Sequence, residues 1–161
     1  MKSRPTAPAV TVAPDLPIAE AIRQMSAQSR KVRFAGLVVV VARDGKVQGV
    51  VTDGDIRRAF ADGIDFAAAV STIMTPNPIS VVVGLDEDRV VEEVRQQELL
   101  RRKSSGDFVR QFLVLDKAGR LVDIRDFLEL VWSQRERDSQ VSVVGLGYVG
   151  LTLAVVLANV G

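Results

Sequence analysis

A glycine turn between two apolar runs occurs twice in this chain, at Asp44-Gly45 and again at Ala118-Gly119, 74 residues apart. The run before the first turn is Gly36-Leu37-Val38-Val39-Val40-Val41 and the return is residues 46–51. The second turn is flanked by Phe112-Leu113-Val114-Leu115 and residues 121–124. Each set reads as a hairpin of two buried strands. Upstream of the first hairpin, Val10-Thr11-Val12 reads as a short strand, and Leu16, Ile18, Ala21, Ile22 and Met25 fall on one helical face. Upstream of the second, residues 79–83 read as the strand, and Val90, Val91, Val94 and Leu99 as the helix face. Ile18, Glu20 and Ile22 match Val90, Glu92 and Val94 at an offset of 72. A helix follows each hairpin, at about residues 54–61, stopped by Gly63, and at 127–132.

A β-α-β-β-α unit of about 60 residues cannot bury enough apolar surface by itself, so two copies packed sheet to sheet are the folding unit. The expected fold class is α/β of the α+β kind: two β-α-β-β-α repeats forming a pseudo-symmetric pair. The predicted organisation is an extended lead over residues 1–9, repeat 1 over 10–72, repeat 2 over 73–132, a linker over 133–140 and an uncharged tail over 141–161.

Lysine plus arginine number 21 against 20 acidic residues, so no excess of positive charge is present to drive binding to nucleic acid or to anionic lipid. The chain has neither cysteine nor histidine, which removes thiol nucleophiles, disulfides, imidazole bases and the usual zinc ligands. No carboxylate pair has a spacing that argues for acid-base work. Catalysis and a metal centre are therefore not expected. Residues 1–8 hold two prolines and no continuous apolar stretch of the kind a secretory signal needs, which points to a cytoplasmic protein.

The sharpest local feature is Gly49-Val50-Val51-Thr52-Asp53-Gly54-Asp55-Ile56-Arg57-Arg58, where the first hairpin meets its helix. Helix N-terminal amides attract anions. Thr52 offers a hydroxyl to a phosphate, Asp55 an acceptor to a ribose diol, and Arg57 or Arg58 positive charge. The same residues fit a second account: Thr52-x-x-Asp55 makes a capping box, and the two arginines make a solvated helix face.

Gly-x-x-Thr-x-x-Asp closing such a repeat resembles the signature of CBS domains paired as a Bateman module, and residues 50–58 resemble the CBS tails of sugar-phosphate isomerases. Ile73-Met74-Thr75-Pro76-Asn77-Pro78-Ile79 is similar to the phrase that joins the two domains of such pairs, although by itself it reads as a Pro-restricted linker. The resemblance implies an adenine nucleotide (AMP, ADP or ATP) in the cleft between the copies. Thr52, Asp53, Asp55, Arg57 and Arg58 would hold its phosphate and ribose, and Met74, Thr75, Pro78 and Ile79 would line the base pocket. The second copy departs from the pattern, with Asp123, Asp126 and Glu129 in place of Gly49, Thr52 and Asp55. Three carboxylates read at a helix N-terminus suit capping and repel phosphate, so one nucleotide per chain is expected. The basic stretch over residues 95–110 reads as a solvated helix end and loop, with phosphate contact as its alternative.

Residues 141–161 carry no charge over 21 positions, long enough for a membrane span. A strand followed by Gly145-Leu146-Gly147-Tyr148-Val149-Gly150 instead fits the dinucleotide-binding fingerprint opening a helix. The wider phrase resembles the start of UDP-glucose and GDP-mannose dehydrogenases. That resemblance implies an incomplete Rossmann strand and helix, with Gly145, Gly147, Tyr148, Val149 and Gly150 as NAD contacts only in a complete domain. Hydride transfer by this chain is not expected. Its apolar surface is expected to drive a homodimer or larger species. Two readings of function follow: a nucleotide-sensing module controlling an NAD-dependent nucleotide-sugar dehydrogenase, or a ligand-free structural and dimerisation module of the same parent.

Overall fold

In a computed structural model, residues 9–102 and 110–137 are described. Residues 1–130 form one compact unit and 131–161 a second, of which the end of the last helix is described. The tail over 141–161, with Gly145, Gly147, Tyr148, Val149 and Gly150, lies outside the described residues, as do the N-terminal lead up to residue 8 and the loop over 103–109. Among the described residues, no helix is long and apolar enough to cross a membrane.

The first repeat runs β1 (Val10–Val12), α1 (Ile18–Gln28), β2 (Leu37–Val41), β3 (Val47–Thr52) and α2 (Asp53–Ala61). A 3-10 turn at Val70–Thr72 leads to β4 (Thr75–Pro76). The second repeat follows with β5 (Ser80–Val82), α3 (Glu87–Arg102), β6 (Gln111–Leu115), β7 (Leu121–Asp126) and α4 (Phe127–Arg137). The first sheet has the order β1-β2-β3-β4 and the second β5-β6-β7. In each, a parallel pair adjoins an antiparallel hairpin. The hairpins repeat at an offset of 74 even in their irregularities, with a register shift at Val40/Val41 and again at Val114/Leu115. Both turns need a left-handed residue, and glycine supplies it at Gly45 (φ 83°) and Gly119 (φ 80°).

Strand β2 shows how the repeats share one core. Leu37, Val38, Val39 and Val40 are all buried because successive side chains point to opposite faces and both faces are covered. Val38 and Val40 pack with Ala21 and Met25 of α1 and with Val10, Val12, Val51 and Val70. Leu37 and Val39 pack instead with Leu113 and Ile124 of the second repeat and with Ala9. The hairpin tips also meet: Lys46 bridges Arg120, and the Val47 amide donates to the Gly119 carbonyl at 3.0 Å.

Three expectations are corrected. Leu99 is 63% exposed, because one helical turn beyond Val94 the core face is taken by Glu98. The last helix extends to Arg137 rather than ending at residue 132. Asp123 does not lie at a helix N-terminus; it stands within β7, opposite Val114.

Candidate functional site at the first hairpin-helix junction

Strand β3 ends on Thr52, paired with Leu37, and the chain turns at once into α2. The Asp53 amide donates to the Gly36 carbonyl at 3.2 Å, which ties the helix start to the start of β2. Thr52 is extended and accepts at its hydroxyl from the Asp55 amide at 3.3 Å. Asp55, 8% exposed, accepts at Oδ2 from the Thr52 amide at 2.8 Å and from the Thr52 hydroxyl at 2.7 Å. Its Oδ1 accepts from Arg58. The capping box is thus complete, and the Thr52 proton is committed to Asp55.

Anion-attracting character remains at this junction. A Cβ placed on Gly54 would lie 3.6 Å from Arg58 Nη1 and 3.9 Å from Arg57 Nη2, so both exposed arginines bend back over the first turn of α2. Helix amides and two guanidinium groups converge there. Beside them a recess of about 170 Å³ is lined by Asp55, Arg58, Ala59, Asp62, Ile64, Thr72 and Ile73. That volume is below the roughly 300–1,000 Å³ of small-molecule sites, and suits one part of a nucleotide.

The other sequence-predicted residues divide. Met74 and Thr75 come to the first sheet, where Thr75 pairs with Val50. A Cβ on Gly49 would stand 2.8 Å from Met74 Sδ and 2.9 Å from the Thr75 carbonyl, so the glycine of the motif admits β4. Gly49→Ala is expected to cost about 1–3 kcal/mol in urea unfolding through this overpacking. Pro78 and Ile79 lead into the second sheet instead. Ile79 is 2% exposed, and its carbonyl accepts from the Leu113 amide at 2.9 Å.

The same junction in the second repeat is built differently. At the 74-residue offset, Arg110 replaces Gly36, and its carbonyl accepts from the Phe127 amide at 2.7 Å as Gly36 does from Asp53. Asp126 replaces Thr52, caps α4 by accepting from the Leu128 and Glu129 amides at 2.9 and 3.3 Å, and takes Arg110 Nε at 2.8 Å on its other oxygen. Burial pushes the Asp126 carboxyl up, but the Arg110 bond and the two amides outweigh it and hold the group below its usual value. From the first repeat, Arg33 approaches Asp123 at 3.9 Å and Glu129 at 3.6 Å. Two arginines and three carboxylates therefore pair among themselves at the place where the first repeat presents Thr52 and Asp55.

Sequence reasoning missed Arg33, Gly36 and the role of Arg110. The 74-residue offset carries a signal for the last two, since it aligns Gly36 with Arg110. No periodicity points to Arg33, whose partners lie in the other repeat.

Residues 2–62 match the family model for the CBS domain. Part of the chain is 34% identical over 88 residues to the arabinose 5-phosphate isomerase of Pseudomonas aeruginosa, and the chain spans 27% of that relative's length. Among solved structures, a CBS domain protein of Pyrobaculum aerophilum complexed with AMP is 25% identical, with a TM-score of 0.56, over 78% of this chain and 92% of that one. A CBS-domain containing protein of Agrobacterium tumefaciens is 28% identical, with a TM-score of 0.55, over 78% of this chain and 84% of its own. Two repeats packed through a common cluster thus give the chain the fold of a CBS domain pair, with a CBS sequence match over the first repeat.

Proposed function

We propose that the chain is a regulatory module that binds one adenine nucleotide at the start of α2, in the cleft between its repeats. The observation that carries this reading is the asymmetry of the two junctions. The first pairs a glycine at residue 36 and the Thr52-Asp55 box with two arginines folded over a helix N-terminus. The second closes the equivalent place with the Arg110-Asp126 ion pair. AMP in the Pyrobaculum aerophilum relative supports an adenosine ligand. No bond need be made or broken; a ligand that favours one arrangement of the pair regulates whatever polypeptide the pair is joined to. The pattern from Gly145 to Gly150 supports an NAD-dependent nucleotide-sugar dehydrogenase as that target, in the cytoplasm, with self-association through the same apolar segment.

The completed capping box favours the second reading, a structural and dimerisation module without ligand, in which Thr52 and Asp55 only terminate α2. A thermal-shift panel of adenine and guanine nucleotides, S-adenosylmethionine and nucleotide sugars separates the two. A native-state ligand at a hundredfold excess over its Kd adds about 2.7 kcal/mol of stability. An adenine nucleotide is expected to raise Tm and to saturate at one per chain in calorimetry. A panel without any shift selects the structural module, and two nucleotides per chain refutes closure of the second junction.

A further inference from the structure

We infer that the recess beside α2 is a base pocket in which Asp62 reads an exocyclic amino group, so that adenine is taken in preference to a 6-oxopurine; this rests on the nucleotide reading above. Asp55 lies in the first turn of α2 and Asp62 caps its end. Seven residues make two turns, so both lie on one helix face, about 10 Å apart along the axis. Both line the recess, together with Arg58 and Ala59 between them. A phosphate at the start of α2 and a ribose on Asp55 leave the base for the Asp62 end, because phosphate, ribose and base follow one another in that order.

The walls at that end suit a purine. Ala59, Ile64 and Ile73 supply apolar surface. Gly63, left-handed at φ 70°, ends the helix, and the Ile64 amide donates to the Ala59 carbonyl at 2.9 Å, which turns Ile64 back onto the helix end. The polar groups there are acceptors. The Thr72 hydroxyl donates its proton to the Ala69 carbonyl at 2.7 Å and is left with lone pairs. Among the described residues the Asp62 carboxylate has no hydrogen-bond or ion-pair partner, and Arg58, one turn back, is paired with Asp55. A carboxylate at a helix C-terminus opposes the helix dipole, so helix stability does not account for it. Its complement is a donor from outside the chain. The 6-amino group of adenine is such a donor, whereas the 6-oxo group of hypoxanthine or guanine is an acceptor and is repelled. A site built around one hydrogen bond rejects the analogue that cannot make it.

The test is calorimetric titration of AMP, inosine monophosphate and purine riboside monophosphate, whose base carries only hydrogen at position 6, into the wild-type chain and Asp62→Asn. All three share one ribose and one phosphate, so the ratios of their affinities isolate the base. The wild-type chain is expected to bind AMP at least about tenfold more tightly than either analogue, the worth of a hydrogen bond to a charged acceptor. In Asp62→Asn the side-chain amide can donate to a 6-oxo group, so the preference for AMP over inosine monophosphate is expected to fall by about tenfold. The urea midpoint of this variant is expected not to fall, because a charge that opposes the dipole has been removed. A wild-type chain blind to the substituent at position 6, or a preference that Asp62→Asn leaves unchanged, overturns the role of Asp62 while the nucleotide reading stands. A wild-type chain that binds none of the three overturns the nucleotide reading, and the inference with it.

Discussion

Truncating Phe112 to alanine is expected to remove about 3–5 kcal/mol of stability, and to remove it from both repeats together. Phe112 is fully buried in β6 and is the largest side chain in that state among the described residues. Its neighbour Leu113 points to the opposite face, where it packs with Ile124 against Leu37 and Val39 of the first repeat. A cavity beneath β6 therefore weakens the strand that supplies the second repeat's half of the shared core. Against a total of about 5–15 kcal/mol for a domain, such a loss threatens the fold itself. Urea unfolding followed by amide exchange in β2 and in β6 distinguishes the cases. A shared core requires protection in both strands to fall by the same free energy. If β2 keeps its protection while β6 loses it, the repeats are separate folding units and the cleft between them is not a fixed site.

The hairpins were legible because two constraints coincide in them. Left-handed glycines at residues 45 and 119 and dense valine and leucine runs leave a single arrangement of strand, turn and strand. Which face each side chain takes was not legible in β2, where burial on both sides erases the alternation that exposes a half-buried strand. Helix α3 misled for a related reason. Glu98 occupies the core face and Leu99 the solvent face, a reversal of chemistry that no periodicity can reveal. Of the two accounts that the sequence offered for Thr52 and Asp55, the capping box is the one visible in the chain alone, since that motif is local and closes within four residues. What escaped detection is long-range: β4 adding itself to the first sheet beside Gly49, and Arg33 crossing to Asp123 and Glu129. Both depend on how the repeats fold back on one another. Asp123 was grouped with the helix-start carboxylates although it falls inside the returning strand expected over residues 121–124, and β7 holds it there.

Asp55→Ala is the variant in which structural and binding roles collide, and their sizes separate them. Removing the carboxylate deprives the Thr52 amide and hydroxyl of their acceptor and frees Arg58. Loss of a cap costs about 0.5–2 kcal/mol, so the variant is expected to fold with a lowered urea midpoint and an unchanged m-value. Asp55→Asn keeps an acceptor oxygen for Thr52 and is expected to recover much of that stability. Ligand binding is expected to behave differently. A ribose diol donating to the Asp55 carboxylate makes hydrogen bonds to a charged group, worth about 1.5–3 kcal/mol, so both variants are expected to weaken an adenine nucleotide by at least about tenfold. For the carboxylate to accept from a ribose, one of its present donors must yield. Arg58 is the one able to do so, because its side chain is 64% exposed and its guanidinium already lies beside Gly54, where the proposed nucleotide would bring its phosphate. Arg58→Lys, which keeps the charge and loses the planar fork, is then expected to weaken nucleotide binding with little change in stability. Affinity that follows stability across Asp55→Ala, Asp55→Asn and Arg58→Lys would mean that Asp55 serves the helix alone; affinity lost in Asp55→Asn while stability returns places the carboxylate on the ligand.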